Sequence, residues 1–190
     1  MAGAGVRVDA AYNRHSIEAT PEVTPHHLDV TNPYLVAQFF DAIRGPVDYL
    51  ILCHGITADA LGTRMAAHHW NAVVDTNLTG TFYCLKGGVS RMEGGVVVVV
   101  SSVAVEEGIY GAANYAASKT GLKGLVRSFA LENPAIRFEL VEAAFHDAGM
   151  GSRLPPKVRA RAEATYGPFS QPADFVSKVL ALLGVQVAEV

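Results

Sequence analysis

Val96-Val97-Val98-Val99-Val100-Ser101-Ser102, then a loop through Gly108 and Gly111, then Asn114-Tyr115-Ala116-Ala117-Ser118-Lys119, is the stretch that decides the fold of this chain. Five consecutive β-branched residues suit a strand buried on both faces. Tyr115 and Lys119 stand four apart, so on a helix they share one face and can act on the same atom. Ser102 closes the strand and can meet them across the loop. A hydroxyl, a phenol and an ammonium at the carboxyl end of a parallel strand point to proton chemistry at a carbonyl.

Working outward, the pattern alternates between strands and helices. Residues 6–12 read as a short strand ending at Asn13-Arg14. Residues 15–25 have little periodicity and contain Pro21, so a loop or a stub of helix is expected there. Residues 26–30 form the next expected strand. Thr31-Asn32-Pro33 is a helix start, with a capping side chain and proline in the first turn. That helix carries Leu35, Val36, Phe39, Phe40 and Ile43 at helical spacing and stops at Gly45-Pro46. Residues 49–53 read as a buried strand, and 66–75 as a helix running on past Asn77 into 81–86. After the valine run come a helix over 114–131, a strand over 136–141, helices over 155–166 and 173–183, and a last short strand over 185–190. This alternation predicts one α/β domain over 1–190, a doubly wound, mostly parallel sheet in three layers.

Half of the 190 residues are hydrophobic and 17% are charged, in keeping with a buried sheet. A net charge of −3 gives no reason to expect nucleic acid or an anionic membrane as partner. The valine run is too short to span a bilayer. The two cysteines, Cys53 and Cys84, imply no disulfide framework and fit a reducing cytoplasm. Cys53-His54 lie next to each other on a strand and point to opposite faces, so a packed cysteine is expected rather than a nucleophile with its base. His26-His27 and His68-His69 lack a spacing that closes a metal site, and no metal is expected.

Ser102 with Tyr115-x-x-x-Lys119 thirteen residues later resembles the short-chain dehydrogenase/reductase family. Asp75-Thr76-Asn77-Leu78-Thr79-Gly80 resembles the family segment that carries a catalytic asparagine, here Asn77. Leu28-Asp29-Val30-Thr31 looks like its third strand, and Phe145-x-Asp147-x-x-Met150 like the loop after its sixth. The nearest likeness is to bacterial 3-oxoacyl-[acyl-carrier-protein] reductases, and it covers nearly the whole chain. It implies a Rossmann-like fold and reduction of a ketone, most simply a 3-oxoacyl thioester that is free or carried on acyl-carrier protein. Tyr115 would donate the proton as NAD(P)H delivers hydride. Lys119 would draw the Tyr115 pKa down from about 10 and hold the nicotinamide ribose. Ser102 would stabilise the carbonyl oxygen, and Asn77 would hold a water linking Lys119 to solvent. Asp29 and Val30 would contact adenine, and Gly55 with Tyr115 and Lys119 would border the cofactor. Arg14 can grip a 2′-phosphate, favouring NADP(H) over NAD(H), or stand as a solvated surface arginine. Asp29 can equally help cap the helix that follows it. The family commonly packs the 115–131 helix across a dimer, which implies a homo- or hetero-oligomer.

The chain departs from that family pattern in the cofactor cradle. The first strand and its glycine-rich turn, which seats the pyrophosphate, are not in this sequence. Either coding sequence precedes Met1, or the sheet is rewired with residues 6–12 beside 49–53. Leu52-Cys53-His54-Gly55 stands where the family has Asn-Asn-Ala-Gly, Ala143-Ala144 where it has Pro-Gly, and Ala148 where a threonine binds the carboxamide. Glu139 and Glu142 fall in or beside a strand, where buried carboxylates need partners. Two expectations follow. One is a reductase. The other is a degenerate subunit with impaired cofactor binding that pairs with an intact homologue.

Overall fold

Two parallel sheets, held side by side without strand hydrogen bonds between them, form the frame of the protein. The structure is a computed structural model that describes residues 6–103, 106, 108–147, 149, 151–154 and 156–185. The small sheet pairs β1 (Val8–Tyr12) with β2 (Val23–His27), Val8 opposite Val23 and Tyr12 opposite His27. The larger one runs β3 (Tyr49–Leu52), β4 (Val96–Ser102), β5 (Arg137–Ala143), with β4 in the middle. Tyr49 faces Val96, and Val96 in turn faces Arg137. Every residue of β4 is buried, the environment a run of valines requires.

The helices are α1 (Pro33–Ala42), α2 (Ala67–Val74), α3 (Gly80–Val89), α4 (Ala113–Glu132), α5 (Pro156–Tyr166) and α6 (Pro172–Leu183). Asn32 caps α1 by accepting from the backbone N–H groups of Tyr34 and Leu35, with Pro33 in the first turn. One buried cluster joins Leu28, Val36, Phe40, Leu50, Leu52, Leu85, Val97, Val99, Leu122 and Val126. It lies on the α1, α3, α4 side of β3 and β4 and takes in Leu28, the residue after β2. A second cluster sets Val96, Val98 and Val141 against Val179, Leu180 and Leu183 of α6. Gly95 enters β4 at φ +91°, and a Cβ there would lie 2.1 Å from the Asp48 carbonyl oxygen, so only glycine fits.

Several expectations are corrected. The rewired sheet does not form: β1 pairs with β2, not with β3. In a doubly wound sheet ordered third-second-first-fourth, the place of the first strand falls between these two sheets. β2 begins at Val23, three residues before the expected start, and contains Pro25 opposite Ala10. Proline is tolerated because β2 is an edge strand, with one side free of ladder bonds. The loop that is one of the two expectations between β1 and β2 is what forms, with no helix there. The last expected strand, 185–190, lies outside the described residues beyond Val185, as do Ala148 and Met150.

Candidate active site

The site is assembled where β4 ends. Ser101 and Ser102 are its last two residues, 2% and 7% exposed. After the turn at Gly111 (φ +78°), α4 presents Tyr115, Ser118, Lys119, Leu122 and Val126 as one buried stripe, the i, i+3, i+4 spacing of a single helix face. Its polar members face the strand end, and its apolar members run on into the core. The third support is the α2–α3 rod. Across Asp75–Thr79 it widens into a single π-helical turn, and Asn77 in that turn is fully buried. Such turns recur at functional sites because they re-aim one side chain without ending the helix.

Hydrogen bonds tie the three supports together. The Ser102 hydroxyl bonds the Tyr115 phenol. Asn77 Oδ1 accepts from the Ile56 N–H (2.8 Å), and its Nδ2 donates to the Ile56 carbonyl and to Ser118 Oγ (both 3.1 Å). Ser118 Oγ donates to the Tyr115 carbonyl at 2.8 Å. Asn114 Nδ2 donates to the carbonyls of Ala58 (3.0 Å) and His69 (3.2 Å), fastening the start of α4 to the loop after β3 and to α2. Ser118 and Asn114 carry no motif of their own beyond lying beside Tyr115 and Lys119, and sequence reading passed them over.

The electrostatics differ from expectation at Lys119. Its Nζ donates to the Val100 carbonyl at 2.8 Å. Burial drives its pKa down to about 8, opposed by the neighbouring Cys53. Tyr115 is raised above the ordinary phenol value, first by burial and also by the Asp59 charge, while the bond from Ser102 pulls the other way. In this arrangement Lys119 does not draw Tyr115 down. The phenol is protonated at neutral pH, the state of a proton donor. His54 fills the place of a small residue in the family motif. Burial, with the Lys119 charge, lowers it to about 4, so it is neutral. Thr81 Oγ1 donates to the Asn77 carbonyl (2.7 Å), which leaves the 3.1 Å contact with His54 to be donated by Nε2.

The residues expected to border a cofactor are divided. Gly55 lies against Lys119 and Asn77: a Cβ there would sit 3.5 Å from Lys119 Nζ and 3.3 Å from Asn77 Oδ1. Gly55 therefore borders Lys119, which shares a buried helix face with Tyr115. Asp29 is engaged locally, its Oδ1 accepting from the Thr31 N–H (2.9 Å) and hydroxyl (2.7 Å). Val30 is packed against the first residue of α3, where a Cβ on Gly80 would meet its Cγ2 at 2.8 Å. Arg14 is exposed in the turn after β1. No glycine-rich turn that would seat a pyrophosphate lies among the described residues. Cys53 is not packed. It is exposed at the end of β3, although its surroundings still push its thiol up. Among the described residues β3 is paired along one edge only, with β4, and Cys53 directly follows its last residue.

On the other side, the loop after β5 and α5 close in. Tyr166 donates to the Gly108 carbonyl at 3.0 Å. Arg159 pairs with Asp147 (2.7 Å) and Glu163 (2.9 Å) above the Phe169 ring, which stacks on Phe145. Glu139 pairs with Arg137 at 3.0 Å, and Glu142 is exposed. The described residues hold no group of three or more metal-ligating side chains, and no helix among them is long and apolar enough to cross a membrane.

Parallel strands covered by helices, with Ser102, Tyr115 and Lys119 gathered at the end of the central strand, define a Rossmann-like α/β oxidoreductase. The family profile of the short chain dehydrogenases matches residues 5–158, and the chain belongs to that family. It is 34% identical over 171 residues to the 3-oxoacyl-[acyl-carrier-protein] reductase of Thermotoga maritima, covering 85% of this chain and 70% of that protein. An acetoacetyl-CoA reductase of Shinella zoogloeoides is 32% identical over 151 residues, covering 75% of this chain and 62% of its own length. An alcohol dehydrogenase of the archaeon Thermococcus sibiricus, solved in complex with 5-hydroxy-NADP, superposes with a TM-score of 0.75 at 25% identity, covering 87% of this chain and 70% of that one.

Proposed function

We propose that this chain is a nicotinamide-dependent ketoreductase whose substrate is a 3-oxoacyl thioester, with NADP(H) preferred to NAD(H). The observation that carries the reading is the buried Ser102–Tyr115 hydrogen bond one helical turn from Lys119. A bound nicotinamide would supply the hydride. The chain's own residues handle the proton. Tyr115, protonated at neutral pH, donates to the carbonyl oxygen. Ser102 hydrogen-bonds the same oxygen and stabilises the charge that develops there. Lys119 and Gly55 border the ribose, and Asn77 positions Tyr115 through Ser118. The thioester follows the named activities of the two reductases above. NADP follows Arg14 and the NADP analogue held by the archaeal enzyme.

The test is reduction of an acetoacetyl thioester with NADPH and with NADH, read at 340 nm. Tyr115→Phe removes the proton donor and lowers kcat by about 10²–10⁴-fold. A Tyr115→Phe variant as active as the parent refutes the assignment. A second reading, a subunit that needs an intact homologue to complete its cofactor site, rests on the split sheet. The far end of α4 offers a surface for such pairing, with Leu131 86% exposed and Phe82 of α3 39% exposed beside Phe129. Light scattering of the isolated chain separates the readings: an active homo-oligomer removes the need for a partner.

A further inference from the structure

Asn77 is gripped at its side chain and at its backbone by neighbouring residues of the loop after β3. Ile56 takes the side chain: its N–H donates to Asn77 Oδ1 at 2.8 Å, and its carbonyl accepts from Nδ2 at 3.1 Å. Gly55 leaves the room for this, since a Cβ there would stand 3.3 Å from Oδ1. His54 reaches the backbone of Asn77 through one hydroxyl. Its Nε2 lies 3.1 Å from Thr81 Oγ1, which donates to the Asn77 carbonyl at 2.7 Å.

A threonine that bonds the carbonyl four residues back competes with the helix ladder and often bends the helix. Here that bond begins inside the π-helical turn Asp75–Thr79, where the Gly80 N–H reaches five positions back to the Asp75 carbonyl. A threonine hydroxyl has one proton and rotates to suit its neighbours. With His54 donating to Oγ1, that proton is committed to Asn77. A neutral imidazole supplies the donor without adding a charge. The chain of bonds then runs on from Asn77 Nδ2 to Ser118 Oγ at 3.1 Å, and from Ser118 Oγ to the Tyr115 carbonyl at 2.8 Å. Thr81, Asn77 and Ser118 are all buried, so bulk water does not stand in for a lost partner.

We propose that His54 is a positioning residue of the site: by donating to Thr81 it locks the π-helical turn, and through Asn77 and Ser118 it fixes the backbone that carries Tyr115. The alanine of the family's Asn-Asn-Ala-Gly has no side-chain donor, so this first link belongs to the present chain. The effect on turnover rests on the reductase reading; the bracing of Asn77 does not.

The experiment compares His54→Gln, whose amide can place a neutral N–H where Nε2 lies, with His54→Leu, which keeps bulk and removes the donor. One readout is the exchange rate of the Ile56 amide, whose hydrogen is held by Asn77. The other is kcat and KM for an acetoacetyl thioester with NADPH. In His54→Leu the Ile56 amide should exchange about tenfold faster. Its kcat should fall about tenfold while KM stays within about twofold, because the proton donor is displaced and the binding surface is not. His54→Gln should restore both. Thr81→Val removes the hydroxyl at the next link with little change of shape. It should reproduce the His54→Leu loss, and the two changes together should cost no more than either alone. An Ile56 amide that is unmoved in both His54→Leu and Thr81→Val overturns the bracing. Faster exchange with an undisturbed kcat overturns the reach to Tyr115. Equal losses in His54→Gln and His54→Leu overturn the donor role. If the parent chain reduces no thioester while the exchange responds as expected, the reductase reading falls and the bracing stands.

Discussion

Replacing Lys119 by methionine should make the protein more stable at neutral pH. An ammonium only 4% exposed has been taken out of water with one carbonyl, that of Val100, in compensation. Its pKa falls from the ordinary 10.5 to about 8, which at roughly 1.4 kcal/mol per pH unit is a penalty on the charged form of about 3 kcal/mol. Losing the bond to Val100 costs about 1 kcal/mol. Methionine is close in length and apolar, so the expected net gain at pH 7 is about 2 kcal/mol. The pH dependence fixes the cause. The folded pKa lies below the unfolded one, so between about 8 and 10.5 the unfolded chain binds more protons, and folded-state stability rises with pH across that window. The advantage of methionine is therefore complete below pH 8 and disappears as the pH approaches 10.5. Urea unfolding of both proteins at pH 7 and pH 10 measures it, and ionisations common to both cancel in the difference. A variant that is less stable at pH 7, or a difference that does not change with pH, would refute the reasoning.

The thiols give a direct check on the open side of the sheet. Cys53 is exposed, whereas Cys84 is 3% exposed with its thiol pushed up to about 12. Ellman's reagent should therefore titrate one thiol quickly in the native protein and both in urea, and the fast reaction should vanish in Cys53→Ser. Two fast thiols, or none, would contradict the placement of β3. Hydrogen exchange should separate the two sheets. Amides of β1 and β2, in a two-stranded sheet of a kind that is marginal alone, should exchange at least tenfold faster than those of β4, which is paired on both sides. Equal protection would show that the sheets unfold as one unit.

What could be read from the residues follows how local each determinant is. Asn32-Pro33 starts α1 as expected because a cap and a fixed φ act within one turn. The valine run becomes the buried central strand, and the Tyr115–Lys119 spacing places both side chains on one buried face. β2 starts three residues earlier than the pattern predicts because Pro25 reads as a breaker in a strand paired on both sides and is tolerated in an edge strand. Which strand pairs with which is a long-range choice that residues 6–12 do not encode. Cys53 looks like a core residue by type, and it is exposed just past the end of β3, which among the described residues is paired on one edge only. The direction of the Lys119 ammonium depends on a carbonyl of β4, nineteen positions back, and no pattern in the helix reveals it.

The damage to the family pattern and the state of the site are one effect seen at two places. β4 is complete on both edges, so everything mounted on it is kept: Ser102 at its end, α4 packed along it, Tyr115 in hydrogen-bonding reach. β3 is supported on one edge only, and what depends on its other edge is altered: Cys53 is open to solvent, and His54 fills space beside Thr81. Lys119 stands between the two regions, within electrostatic reach of Cys53 and bonded to Val100. It turns its charge to the carbonyl of the intact strand because that is the acceptor the fold supplies.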